Sequence, residues 1–279
     1  MKNYFTLLMI VLVNVVFAQK VEIKIVSKYD QNPIPYVKVG IENSDKGFMA
    51  NQEGEALYDF SSLDKNAYLI VDAIGYEKFI VKISEFIESN HIIELSPDII
   101  NLQETVIYNR KKFKEKNFGP KSKSKNVFFN IAPNDSEEKE SLKEIAVFIN
   151  SGSKRAKILR VNINFSKYEY DIELPFRIVI YKNNLGIPGE VINVNDILGN
   201  FSKEKIIDQV FTIDLEEYDL WIDESFYVGI QLLDNELKES VNLSAGVLHK
   251  SFYRFYYNDW RKTQLSLSPA INVDVLISK

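Results

Sequence analysis

The sequence predicts an all-β chain of two β-sandwich domains behind an export leader. Three observations lead there. Short stretches of alternating apolar and polar residues recur along the chain, separated by Gly, Pro, Asn and Asp turns about every 8–12 residues. These stretches fall into two groups, residues 19–108 and 126–279, with a strongly basic segment at 109–125 between them. The first 18 residues resemble neither group.

Those 18 residues have the pattern of a secretory signal peptide. Lys2 supplies the positive end, Phe5 to Phe17 is apolar apart from Thr6 and Asn14, and Val16-Phe17-Ala18 offers small residues for cleavage before Gln19. The expected location is therefore outside the cytoplasm: periplasmic or outer-membrane associated, or secreted. No later segment approaches the length of a membrane-spanning helix, so the mature chain is expected to have no transmembrane span.

In the first group, Val21, Ile23 and Ile25 alternate with Glu22 and Lys24, the pattern of a half-buried strand. Asp30 to Pro33 is a turn. Val37, Val39 and Ile41 share one face of the next strand, and the segments Asn43–Gly47 and Asn51–Gly54 turn the chain again. Further strands are expected at Ala56–Phe60, Tyr68–Val71, Lys78–Ile83 and Ile92–Leu95, with one helical turn near Ser84–Glu88.

Within this group, Pro33-Ile34-Pro35-Tyr36-Val37 with Val39 and Ile41 is followed by Gly47 to Gly54. Ile70-Val71-Asp72-Ala73-Ile74-Gly75-Tyr76 comes next. This ordered set resembles the carboxypeptidase regulatory-like domain. The resemblance implies a transthyretin-like seven-stranded sandwich of exported bacterial proteins, with a non-catalytic folding or binding role. It also implies that Gly54 occupies a tight turn at positive φ.

His91-Ile92-Ile93-Glu94 has the His-x-x-Glu spacing of zinc carboxypeptidases. On a strand, residues three apart point to opposite faces. The other histidine, His249, lies in the second group, and the chain has no Cys. A zinc hydrolase built on His91 and Glu94 is accordingly the weaker alternative, and no metal, no cofactor and no enzymatic activity are expected.

Leu102 to Ile107 resembles the segment that follows this domain in TonB-dependent outer-membrane transporters. No series of strands fit to form a membrane barrel follows it, so it is read as a last strand and exit linker. Arg110 to Lys125 carries eight basic residues against Glu115 alone. It reads as a solvated linker, with contact to anionic lipid headgroups as the sharper alternative.

The second group contains strand patterns at 145–149, 158–165, 176–181, 206–215, 226–233, 244–249, 252–257 and 271–277. Val161, Ile163 and Phe165 alternate inward, as do Phe176, Ile178 and Ile180, and Val228, Ile230 and Leu232. A jelly-roll-like sandwich is expected, with Asn183 to Glu190 as a loop. Phe176 to Tyr181, Gly186-x-Pro188-Gly189, Phe211 to Leu215 and Phe226 to Ile230 resemble a C-terminal sandwich that accompanies the regulatory-like domain, a resemblance that carries no chemistry.

The candidate ligand residues are Tyr253, Tyr257, Asn258, Asp259, Trp260 and Arg261, in an aromatic hairpin at 252–261. Such rings can stack on a sugar while the neighbouring polar groups bond its hydroxyls. The competing account is that the rings fill the core and Asn258-Asp259 merely turns the chain.

The composition narrows the function classes. Lys and Arg total 34 against 39 Asp and Glu, a net charge of −5 that gives no reason to propose nucleic-acid binding. The lack of Cys excludes disulfides, Cys-ligated zinc and a thiol nucleophile. The oxygen-rich turns at Asn43–Asp45 and Asn193–Asp196 lack the spacing of a calcium loop. The expectation is a non-catalytic exported cell-envelope protein that binds or scaffolds a cell-envelope protein or polysaccharide. The alternative is a carbohydrate-binding protein using the aromatic hairpin.

Overall fold

A computed structural model of the chain describes residues 20–98, 112–131, 143–168, 171, 173–233 and 241–278. The leader at 1–18 and the Leu102–Ile107 segment lie outside the described residues.

The first sandwich comprises β1 (Lys20–Ser27), β2 (Lys38–Ile41), β3 (Gly47–Met49), β4 (Glu55–Asp59), β5 (Tyr68–Asp72), β6 (Phe79–Lys82), α1 (Ile83–Ile87) and β7 (Ile92–Leu95). One sheet has the order β4-β1-β7 and the other β3-β2-β5-β6. The β1–β7 pair is parallel and the other pairs are antiparallel. The alternation in sequence is the alternation in space. Ile23, Ile25, Val37, Val39, Leu69, Val71, Ile93 and Leu95 meet between the sheets, each worth roughly 1.5–3 kcal/mol of burial. Gly54 sits at φ +70°, and a Cβ there would come within 2.6 Å of the Ile25 carbonyl oxygen. The turn thus needs glycine for both conformation and space.

The second sandwich comprises β8 (Phe113–Phe118), β9 (Phe128–Asn130), β10 (Lys143–Ile149), β11 (Ala156–Lys167), β12 (Leu174–Asn184), β13 (Ile187–Val191), β14 (Ile197–Phe201) and β15 (Val210–Asp214). It continues with β16 (Trp221–Ile222), β17 (Phe226–Leu232), β18 (Asn242–Val247), β19 (Ser251–Phe255), β20 (Arg261–Lys262), β21 (Leu267–Pro269) and β22 (Ile271–Ser278). One sheet runs β13-β12-β17-β10-β19-β20, with β14 on β12. The other runs β21-β18-β11-β22-β8, with β15 and β16 on β11 and β9 on β18. Phe165, Phe176, Phe201 and Phe211 form the aromatic centre of the core between them, with Phe176 stacked on Phe201 at 3.9 Å.

Three expectations are corrected. The basic segment 109–125 is not wholly a linker, because Phe113–Phe118 pairs antiparallel with β22 from Ser278 to Val273. It is an edge strand, and lysines on an edge discourage pairing with other chains. The Asn183–Glu190 segment is a hairpin rather than a loop, turning at Leu185 and Gly186 into β13. The strand expected at 252–257 ends at Phe255, since Tyr256 takes φ +40°.

The two sandwiches meet at a boundary crossed by Tyr36, Lys38, Met49 and Asp45 from the first and Arg177, Glu144, Tyr256 and Arg261 from the second. On β12, Phe176, Ile178 and Ile180 enter the core of the second sandwich, yet Arg177, Val179 and Tyr181 on the opposite face are buried as well. All of β17 from Phe226 to Leu232 is buried. A sheet buried on both faces has to be covered twice. Here the second cover is shared: Tyr36, Lys38, Met49 and Ile74 come from the first sandwich, and Phe148 and Trp260 from the second.

An interdomain cleft lined with charge

Four polar residues form one row across the covered sheet. Strand register places Arg177 of β12 opposite Gln231 of β17, Gln231 opposite Glu144 of β10, and Glu144 opposite Arg254 of β19. Residues directly opposite on one sheet face lie about 4.5–5.5 Å apart, so a row of this kind is a continuous polar track. Arg177, Gln231 and Glu144 are only 4%, 3% and 2% exposed. Buried charges of this kind persist only when paired.

The pairing is nearly complete. Arg254 Nε donates to Glu144 at 2.8 Å, and Arg254 Nη2 donates to the Tyr181 hydroxyl at 3.1 Å. The Tyr181 hydroxyl in turn donates to the other Glu144 oxygen. Gly229 makes room for this ring, because a Cβ there would lie 2.8 Å from Tyr181 Cε2. Arg177 grips Asp196 through Nε at 2.6 Å and Nη2 at 2.7 Å. It also reaches across the domain boundary to the Tyr36 carbonyl oxygen at 3.0 Å.

From the first sandwich, Lys38 points into this track. Its Nζ lies 3.9 Å from Glu144 Oε2 and 4.7 Å from the Tyr257 ring centroid. Burial, reinforced by the nearby Arg254 charge, lowers the Lys38 ammonium to about 8, against the raising effect of Glu144 and Asp72. Burial pushes the Glu144 carboxyl up, but Arg254, Lys38 and the Tyr181 hydrogen bond outweigh it and bring the group down to about 2. The Tyr181 hydroxyl is raised well above its usual range by burial and by the Glu144 charge.

Beside the track, the domains leave a cleft of about 340 Å³. Lys38, Asp72 and Asp98 line it from the first sandwich, and Arg177, Gln231 and Arg254 from the second. Aliphatic surface from Ile74, Val179 and Val191 completes it. Small-molecule sites commonly occupy such domain boundaries and combine apolar walls with a few placed polar groups.

The hairpin residues singled out in the sequence lie at the same boundary. Tyr257 is half-buried, and its hydroxyl donates to the Lys38 carbonyl oxygen at 3.0 Å. Its ring lies on Gly40, where a Cβ would approach within 2.4 Å of Tyr257 Cδ2. Asn258 and Arg261 both bond Asp45 of the first sandwich. Trp260 stands edge-on to Tyr181 at 5.5 Å, with the Arg254 guanidinium 4.3 Å from its ring centre. Tyr253 packs toward the core of the second sandwich, and Asp259 is exposed. The hairpin is thus brought together as a clasp between domains, with most of its rings turned to protein.

His91 and Glu94 are not brought together. The His91 ring bonds the Ile87 carbonyl oxygen at 3.0 Å, while Glu94 accepts from Gln31 Nε2 at 3.0 Å. Of the oxygen-rich turns, Asn193 accepts from the Ile180 amide and donates to the Asn195 carbonyl, and Asp45 and Asp196 take arginines.

Comparison with known families bears on the first sandwich. The family model described as CarboxypepD_reg-like domain matches residues 24–107. The first sandwich is a carboxypeptidase regulatory-like domain. Its matched span contains Lys38, Asp72 and Asp98, so this domain supplies one wall of the cleft. No curated protein matches the chain. Two solved structures, of the infectious bursal disease virus Gt and Gx strains, align at 7% and 8% identity with TM-scores of 0.27 and 0.23. Each alignment covers 87% of this chain, and the chain spans 55% and 60% of those viral chains.

The sequence did not single out Lys38, Glu144, Arg177 or Arg254 as site residues. Each occupies the polar position of an alternating strand and so reads as solvent-facing. The available signal was the lack of alternation nearby: Phe226-Tyr227-Val228-Gly229-Ile230-Gln231-Leu232 is apolar at most outward positions too.

Proposed function

We propose that the protein is a non-catalytic binding module of the cell envelope, with its ligand seated in the cleft between the regulatory-like domain and the second sandwich. The observation that carries this reading is the buried ionic track from Arg177 to Arg254, on which Lys38 closes from the other domain. Such a track fixes the relative position of two walls, and a fixed, walled cleft binds without a large ordering cost. Its strongest charges are held in pairs that position groups rather than react.

Export is supported by the leader-like first 18 residues and by the domain type, and the source of the ligand is then an envelope protein or polysaccharide. Among the described residues, no helix is long and apolar enough to cross a membrane.

The test is a thermal-shift screen of envelope-derived small molecules and oligosaccharides against the wild-type protein and Val191→Trp. Val191 is 43% exposed and lines the cleft, so the larger side chain fills the space without entering a core. Hits lost in the variant support the reading. Hits that survive in it place binding elsewhere.

A further inference from the structure

The charged groups at the cleft divide into those that are used and those that are not. Arg177 places four of its five N–H groups on Asp196, Gln231 and Tyr36. Arg254 uses Nε and Nη2, which leaves Nη1 available. Lys38 Nζ has no hydrogen bond among the described residues, and its ion pair with Glu144 is long, at 3.9 Å. The carboxylates of Asp72 and Asp98 likewise accept no hydrogen bond among the described residues.

Their placement has a sign. Lys38 and Arg254 share the carboxylate of Glu144, and neither makes an ion pair within 4.0 Å with another carboxylate of the described residues. Asp72 is the direct strand partner of Lys38 on β5, so its carboxylate leaves the same face about 5 Å away along the hydrogen-bonding direction. Yet the two form no ion pair within 4.0 Å. Lys38 is buried, Asp72 is half-buried and Asp98 is exposed, so on the first-sandwich wall the basic group lies deepest and the acidic groups lie nearer solvent. At about 340 Å³, the space is near the lower end for ligand pockets and suits a small ligand.

We propose that the cleft is a receptor site for a small zwitterion of the α-amino-acid type. Its carboxylate would lie between Lys38 and Arg254, its ammonium would face Asp72 and Asp98, and its side chain would rest against Ile74 and Val191. The ligand carboxylate takes the donors that Lys38 Nζ and Arg254 Nη1 leave unused, and the ammonium takes the acceptors of Asp72 and Asp98. This inference rests on the cleft being the ligand site and adds the class of ligand.

The test is isothermal titration calorimetry on the full mature chain. The probes are the common α-amino acids, led by leucine. For leucine, the deaminated analogue 4-methylpentanoate and the decarboxylated analogue 3-methylbutylamine serve as controls. The expected result is binding of a zwitterion at least ~10-fold tighter than either analogue, a difference of about 1.4 kcal/mol. Asp72→Asn, at a half-buried position, is expected to remove the preference over the carboxylate analogue. Lys38→Met is expected to remove the preference over the amine, and Val191→Trp to abolish binding.

If an analogue binds as tightly as the amino acid and Val191→Trp abolishes both, the zwitterion assignment falls while the cleft remains the site. The same holds if no amino acid binds but the thermal-shift screen yields other hits lost in Val191→Trp. If amino-acid binding survives Val191→Trp, both readings fall.

Discussion

Lys38 and Glu144 meet across the domain boundary with 8% and 2% of their side chains exposed. The energetic weight of the interface rests on the Glu144 side of this pair. Removing one member of a buried ionic network leaves the others uncompensated. Glu144→Gln is therefore expected to destabilise the protein by about 3–5 kcal/mol, read from urea unfolding. A loss below ~1 kcal/mol would show that the track is dispensable.

The same two groups set a pH dependence. Folded Glu144 titrates at about 2, below the ~4.3 of an unfolded chain. The unfolded state holds the proton more tightly, so the Glu144 contribution is fully present above about pH 4.3 and is lost as pH falls toward 2. Folded Lys38 titrates at about 8, below the unfolded ~10.4. Folding disfavours its charged form, so this contribution makes stability rise with pH from about 8 to ~10.4. Unfolding free energies measured across these windows should show the acid slope flattened in Glu144→Gln and the alkaline rise flattened in Lys38→Met.

Gly40 is a seat for the clasp. A side chain there would strike Tyr257 Cδ2 at 2.4 Å and Tyr256 Cβ at 3.0 Å, both in the other domain. Gly40→Val is expected to separate the sandwiches while leaving each folded. Small-angle scattering should show a larger radius of gyration, with an unchanged far-ultraviolet spectrum. An unchanged radius would mean that the rings can move aside.

Trp260 distinguishes the clasp from a sugar platform. As a clasp, Trp260→Ala loses the edge contact with Tyr181 and the Arg254 guanidinium, at a cost of about 1–3 kcal/mol in thermal unfolding. As a platform, it would lose glycan binding, measured on a glycan array, with stability unchanged.

Asp45 bonds Arg261 and Asn258 at the rim, where its side chain is 44% exposed. Solvent screens such pairs, so Asp45→Ala should cost no more than about 1 kcal/mol, and less at high salt. Parallel unfolding titrations at low and high salt check both statements.

How much was legible in the sequence depends on what each residue faces. Gly54 announced its turn because positive φ is a local requirement. Val37, Val39, Phe176 and Ile178 announced the cores because period-two alternation needs no knowledge of a partner. Lys38 and Arg177 look like any solvent-facing strand residue until another domain is laid on them, which no local pattern encodes. Lys114 and Lys116 obscured β8 for a related reason: an edge strand protected by charge lacks the apolar alternation that identifies a strand. The hairpin aromatics were found, but their direction was not, because Tyr256 leaves the strand at positive φ and swings the following rings onto Gly40 and Lys38.

The double burial of β12 and β17 also bears on how the molecule can be divided for laboratory work. Cut away from its companion, the second sandwich would lose Met49 and Tyr36 from the cluster that holds Leu233 and Tyr256, Ile74 from the cluster around Val179 and Tyr181, and Lys38 from beside Glu144. A recombinant fragment beginning after residue 108 should fold but carry an exposed apolar patch around Leu233 and Tyr256, read as increased binding of an apolar dye. Dissection is better attempted by point changes within the intact pair than by truncation.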